Sequence, residues 1–258
     1  MVGVRRIELR LHPPHGRVLP VYDTPTFVYY NQFKYFYKIQ AICYTGFTMF
    51  SLLFQDPVIF IAWLLAIIYA ITIHEFAHAL AAYWQGDSTA KDMGRLTLNP
   101  LAHVELTGLI VLIFAGFGWG RPTPVNPNNL KHGKKSDNLV SLAGVAVNLL
   151  SVFVFGIILK LLVTYAGLEP ENLLAVFLSL LIIINLSLSI FNLLPIPPLD
   201  GSHILFNILS DRFNNFKIAF SQNGPWILLI FILADNFLNL GIFQHLFQFF
   251  FRLVGLIL

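Results

Sequence analysis

Two histidines and a glutamate stand close together at His74-Glu75-Phe76-Ala77-His78, an H-E-x-x-H. On a helix, side chains four apart share a face, about 6 Å from one another at Cβ. Two imidazoles placed that way can hold one Zn²⁺ at about 2.0–2.1 Å each. Glu75 adjoins His74 and cannot share that geometry as a third ligand, so its expected role is general base toward a water molecule. All three residues fall in the second half of an apolar run from Val58 to Tyr83. Ionisable groups inside such a run are costly to bury unless they pair or serve a function. The plainer alternative is a hydrogen-bonded cluster that ties helices together.

A catalytic zinc takes three protein ligands and keeps one position open. The third must come from His12, His15, His103, His132, His203, His245 or an acid. Asp200 is the best candidate. It closes a later apolar run, inside Leu194-Pro195-Ile196-Pro197-Pro198-Leu199-Asp200-Gly201. The prolines deny that stretch a regular helix and leave its backbone able to face a cavity. The same carboxylate would also serve as a turn or capping group before Gly201, and spacing alone leaves both readings open.

These residues need elements that bring them together in a lipid solvent. Of 258 residues, 57% are hydrophobic and 11% charged, with mean hydropathy +0.72. A soluble domain is about a quarter charged, so too few charges exist here to cover a water-facing surface. Three apolar runs are long enough to cross a bilayer core of about 30 Å: Val58 to Tyr83, Leu139 to Tyr165 and Leu173 to Leu194. The expected fold is an all-α polytopic membrane protein. The stretch 106–118 is apolar but short and glycine-rich. It reads as a re-entrant loop or buried hairpin and offers a possible strand edge for a bound peptide. Residues 85–105, 121–137 and 202–224 read as polar loops, and residues 226–258 as one or two further membrane segments. Ala41 to Phe54 reads as a short span or re-entrant piece. The aromatic cluster from Tyr29 to Tyr37 suits either a membrane interface or a loose extension. No cleaved signal is read at the N-terminus, and Met49 is a conceivable alternative start. The expected organisation is an N-terminal extension (1–54), a membrane-embedded core (55–210) and a C-terminal loop with membrane segments (211–258).

Charge sets the topology. Lys91, Arg95, Arg121, Lys131, Lys134 and Lys135 lie in 85–137, and Arg212 and Lys217 lie in 202–224, whereas 166–172 has no Lys or Arg. The positive-inside rule places the first two regions in the cytoplasm. The histidine-bearing end of the first span and the Asp200 end of the third then emerge on the same side. The net charge of +3 fits this anchoring role and not nucleic-acid binding. The single cysteine, Cys43, excludes an internal disulfide and a cysteine-rich metal site.

The pair His74-Glu75-Phe76-Ala77-His78 and Asn192-Leu193-Leu194-Pro195-Ile196-Pro197-Pro198-Leu199-Asp200-Gly201 resembles the site-2 protease family of intramembrane zinc metalloproteases. Gly94-Arg95-Leu96-Thr97-Leu98-Asn99-Pro100 and Gly118-Trp119-Gly120-Arg121-Pro122-Thr123-Pro124-Val125-Asn126-Pro127 extend the likeness over about residues 55–210. These stretches resemble compact bacterial members without an inserted PDZ or nucleotide-sensing domain. The resemblance implies a three-span catalytic core, Asp200 as third zinc ligand, and hydrolysis of peptide bonds near the cytoplasmic leaflet of the plasma membrane. It implies a substrate that is a membrane protein or a leftover signal peptide. The middle span carries Ala143-Gly144-Val145-Ala146-Val147-Asn148, similar to the family's Gly-Pro-x-x-Asn with valine where proline is common. Asn148 and Asn192 are therefore candidates for contact with substrate or oxyanion, with helix packing as the plainer role for each. His103 and His203 are candidate outer partners of the ligands, though a loop histidine without such a role is the simpler reading of each. Two rivals remain at this level: a membrane-segment-binding homologue that does not cut, and a metal transporter.

Overall fold

The computed structural model describes residues 49–238 and 240–257. The expectations for residues 1–48 lie outside the described residues. Helix α1 (Met49–Gln55) is followed at once by α2 (Pro57–Trp84). Asp56 separates them because its side chain accepts from the Ile59 amide at 3.1 Å, and Pro57 has no amide hydrogen to leave unsatisfied. Then come α3 (Thr89–Asp92), α4 (Leu106–Ala115), α5 (Lys134–Ala166), α6 (Leu173–Asn192), α7 (Asp200–Ile208), α8 (Asn214–Phe237) and α9 (Ile242–Ile257). No strand occurs among the described residues.

The chain is an all-α polytopic membrane protein. Among the described residues, four helical stretches are long and apolar enough to cross a bilayer: Pro57–Trp84, Lys134–Ala166, Leu173–Asn192 and Asp211–Asp235. The three expected spans match the first three of these. Helices α2, α5 and α6 pack pairwise and form the core. Phe60, Trp63, Ala66 and Ile67 of α2 meet Leu159 of α5 and Ala175, Val176, Leu178, Leu180 and Leu181 of α6. Ala66, Ala70, Ala79 and Ala82 are fully buried along α2. In lipid, helices associate through close packing and interhelical hydrogen bonds, so small residues mark the contact face. Large apolar side chains such as Ile61, Leu65, Leu150, Ile157 and Leu161 are exposed on these same helices, where acyl chains would cover them.

The structure departs from the sequence reading in three places. First, α4 is a helix, so 106–115 presents no strand edge. Its unbroken Leu-Ile-Val-Leu-Ile-Phe run satisfies its own backbone bonds, and Gly116 ends it in the left-handed region at φ 76°. At 10 residues it spans roughly 15 Å, half a bilayer core. Trp119 returns against Gly108, so the chain doubles back after α4. Second, α6 stops at Asn192, before the prolines, and Asp200 begins a separate helix, α7, rather than closing the third span. Third, 202–224 is largely helical and not a loop. The apolar end of the chain resolves into two helices, α8 and α9.

The segment between α3 and α5 is tied along the end of α2. Asp87 is fully buried and accepts from Thr89 N (3.1 Å), Thr89 Oγ1 (2.5 Å), Asn126 N (2.7 Å) and Asn129 Nδ2 (2.9 Å). Lys131 N donates to Gln85 O (2.9 Å) and Ser136 Oγ to Gln85 Oε1 (2.7 Å). Burial alone would raise the Asp87 pKa, but the bonds from Thr89, Asn126 and Asn129 outweigh it and hold the carboxyl below its ordinary 3.8. A depressed carboxylate stabilises the fold above its unfolded pKa and loses that contribution as pH falls through the folded pKa. The Asp87→Ala variant is therefore expected to lose about 2 kcal/mol at neutral pH, since four hydrogen bonds to a buried carboxylate are lost together. Unfolding in detergent across a pH series checks this: the gap from wild type should hold from neutrality to about pH 4 and close below it.

Candidate metal centre

The motif helix α2 turns His74 and His78 inward; both are buried, while Glu75 is half-buried. Asp200 reaches them from the first turn of α7. Gly201 makes that approach possible, because a Cβ at this position would lie 2.3 Å from Leu193 O and 2.6 Å from Leu194 O. Helix α7 is held against the start of α5, where Asn207 Nδ2 donates to Asp137 Oδ2 (2.6 Å) and Asn138 Oδ1 (2.7 Å). His203 Nδ1 lies 3.7 Å from Asp137 Oδ1, and this carboxylate raises the imidazole pKa above its ordinary 6.5. His203 thus contacts the helix carrying the middle span rather than the ligand cluster.

Three ligand atoms converge. His74 Nε2 and His78 Nε2 are 3.0 Å apart, and Asp200 Oδ2 lies 3.2 Å from the first and 3.3 Å from the second. The other ring nitrogens are already used. His74 Nδ1 is 2.6 Å from Asn148 Oδ1, and His78 Nδ1 is 2.7 Å from Val140 O. Val140 O can only accept. Asn148 Nδ2 donates to Ala70 O (3.2 Å) and Asn185 Oδ1 (2.7 Å), so its oxygen is the atom that faces His74. Both imidazoles therefore carry their proton on Nδ1 and present an Nε2 lone pair to the other and to a carboxylate.

This arrangement asks for a cation. Asp200 Oδ2 is buried and has no hydrogen-bond donor. One shared proton would join two of the three atoms and leave the third facing a lone pair; a divalent ion satisfies all three. Two ligands about 2.1 Å from one tetrahedral ion lie roughly 3.4 Å from each other, close to the separations observed. The donor set of two imidazoles and one carboxylate suits zinc. Space is reserved for it as well. A Cβ at Gly144 would lie 2.6 Å from His74 Cε1, 2.6 Å from His78 Nε2 and 2.7 Å from His74 Nε2. Among the described residues, His74, His78 and Asp200 are the one group of three or more potential ligands that converges in this way.

Glu75 is secured by a residue that the sequence reading did not single out. Thr123 N donates to Glu75 Oε2 at 2.7 Å, and Thr123 Oγ1 donates to Glu75 O at 3.0 Å. A signal existed: in Pro122-Thr123-Pro124 only threonine has an amide hydrogen, and the prolines favour extended backbone around it. The same segment is braced by Arg121 N to His103 O (2.7 Å) and Arg95 Nη2 to Arg121 O (2.5 Å). His103 is fully buried, with Nε2 against Thr97 O at 2.7 Å, so it organises this loop. Asn148 is fully buried and its amide is bonded at both ends, with its oxygen toward His74. Asn192 is half-buried and donates to Leu188 O at 3.0 Å, a bond within its own helix.

Gly144→Ala is expected to weaken zinc binding on the order of tenfold or more, the scale seen when groups around a ligand set are disturbed. Helix content by circular dichroism should stay at the wild-type level while zinc affinity, read by chelator competition, falls.

Residues 163–234 match the model of peptidase family M50. The chain is 44% identical over 149 residues to "Putative zinc metalloprotease YwhC" of Bacillus subtilis, covering 56% of this chain and 68% of that one. It is 33% identical over 196 residues to "Putative zinc metalloprotease Rip2" of Mycolicibacterium smegmatis, covering 73% of this chain and 71% of that one. No solved structure matches.

Proposed function

The chain belongs to peptidase family M50, the site-2 protease type of zinc metalloprotease, and we propose that it cuts membrane-spanning substrates near the cytoplasmic leaflet of a bacterial plasma membrane. The observation that carries this reading is the meeting of Asp200, from α7, with His74 and His78, which lie beside Glu75 on a membrane-capable helix. His74 lies ten residues before the end of α2 at Trp84, or roughly 15 Å along the axis. That depth is within the hydrocarbon region if α2 spans it. The lysines of 131–135 and Arg212 support a cytoplasmic assignment for the nearer surface.

In this reading residues 55–210 form the catalytic core, with His74, His78 and Asp200 as zinc ligands. Zinc bound there supplies Lewis acidity, which polarises the scissile carbonyl and makes the attacking water more acidic. Glu75 accepts a proton from that water and returns it to the leaving amine. Thr123 holds one carboxylate oxygen of Glu75 and so limits the orientations the base can take. Asn148 and Val140 keep both imidazoles in the ligating tautomer. The buried, apolar surroundings of α2, α5 and α6 limit bulk water around these groups, which strengthens every charge interaction among them. The substrates are membrane proteins or remnant signal peptides, which must unwind locally because a helix hides its carbonyls.

Purified protein incubated with single-span substrates tests the proposal. Wild type is expected to cleave, whereas Glu75→Gln should lose at least about a thousandfold in rate, consistent with removal of a general base and its electrostatic partner. Its zinc content should match wild type. A zinc-loaded wild type that leaves a broad panel of such substrates intact would sink the protease reading. For sidedness, a Cys43→Ser background carrying Lys134→Cys should react with an impermeant maleimide only from the cytoplasmic face; labelling of intact cells would reverse the assignment.

A further inference from the structure

We infer that Asn185, in the middle of α6, is a positioning residue of the zinc centre, selecting the ligating tautomer of His74 through Asn148. The inference rests on the zinc-centre reading above. Asn185 is fully buried, and an amide at the centre of an apolar span requires partners for all its polar atoms. Its Nδ2 donates to Leu181 O at 2.7 Å, the free lone pair of a helical carbonyl. A carbonyl can only accept, so the nitrogen must point there and Oδ1 must point away, toward α5. Oδ1 there accepts from Asn148 Nδ2 at 2.7 Å. That bond, with the one from Asn148 Nδ2 to Ala70 O at 3.2 Å, leaves Asn148 Oδ1 facing His74 Nδ1 at 2.6 Å.

The direction of every bond in this chain is dictated from its far end. Leu181 O orients Asn185, Asn185 orients Asn148, and Asn148 places the proton of His74 on Nδ1. The lone pair then lies on Nε2, where Asp200 and His78 converge. Turning the Asn148 amide over would set two oxygens against each other at Asn185 and offer an NH₂ to His74. That NH₂ favours the opposite tautomer, in which Nε2 carries a proton and cannot bind a metal. Ala70 O also resists the turn, but its bond is the longer of the two. The relay crosses from α6 to α5 to α2, so the third core helix acts on the metal site without touching it.

Zinc affinity of the detergent-solubilised full chain, measured by chelator competition after EDTA stripping, tests this. Asn185→Leu keeps the branching of the side chain and removes the acceptor; zinc binding should weaken about tenfold or more, as for other outer partners of ligating histidines. Asn185→Ala gives the same comparison with a second side chain. Asn185→Asp, neutral in this buried setting, keeps a carbonyl toward Asn148 and an O–H toward Leu181 O, and should stay within about threefold of wild type. Ser179→Ala, which removes a hydroxyl bonded only to Ala175 O on the same helix, should leave affinity unchanged. In the cobalt-substituted protein, the visible absorption bands should shift in Asn185→Leu and not in Ser179→Ala. If Asn185→Leu and Asn185→Ala bind zinc like wild type, the inference is overturned while the zinc centre stands. If wild type itself takes up no zinc, both are overturned.

Discussion

Two imidazole nitrogens and a carboxylate oxygen, each showing a lone pair to the other two, meet in the interior of a helix bundle made for lipid. Without a cation that contact is repulsive, and Asp200 Oδ2 has no hydrogen-bond donor to relieve it. Much of the core can be understood as the structure needed to hold this arrangement. Small residues let α2 and α5 approach closely enough for Gly144 to sit beside both histidines. Gly201 lets the turn after α6 fold back on the carbonyls of Leu193 and Leu194, which delivers Asp200. Asn148 and Val140 O take the remaining imidazole protons, so the nitrogens facing the centre are free to ligate.

A second set of contacts holds the reacting glutamate. Glu75 lies on the same helix as the histidines, but its carboxylate is bonded from outside that helix, by the one amide hydrogen in Pro122-Thr123-Pro124. The segment that supplies it is fixed in turn to Asp87, Gln85 and His103. The ligands are thus governed by the bundle and the base by a loop. Loops open more readily than packed helices, so adjustment of the site to a peptide falls more naturally on Thr123 and its neighbours than on the metal ligands.

Much was legible in the residues. The H-E-x-x-H spacing expressed the i, i+4 geometry of a helix, and the length of each apolar run expressed the thickness of a bilayer. Those two rules are local, and they yielded the three core helices to within a few residues, except that α5 begins five residues earlier than its apolar run. They failed where local pattern is ambiguous. The apolar run at 106–115 has no period that separates strand from helix, and backbone self-satisfaction in an apolar setting chose helix. The polar residues of 202–224 looked like a loop, yet α7 and α8 take up most of that stretch.

The sequence by itself determined the class of protein, the positions of the apolar spans and the identity of two facing histidines with an adjacent acid. All of these follow from the composition and from spacings of a few residues. Only the tertiary structure decided what lies across from them. Whether Asp200 reaches the histidines depends on the turn at 193–199 and on Gly201 meeting carbonyls seven or eight residues earlier. The part taken by Asn148 depends on the direction of hydrogen bonds that begin at Leu181 O, on a different helix. The physical reason is that a hydrogen bond has a donor end and an acceptor end. Which end an amide presents is set by its partner, and partners from three separate helices are brought together only by packing.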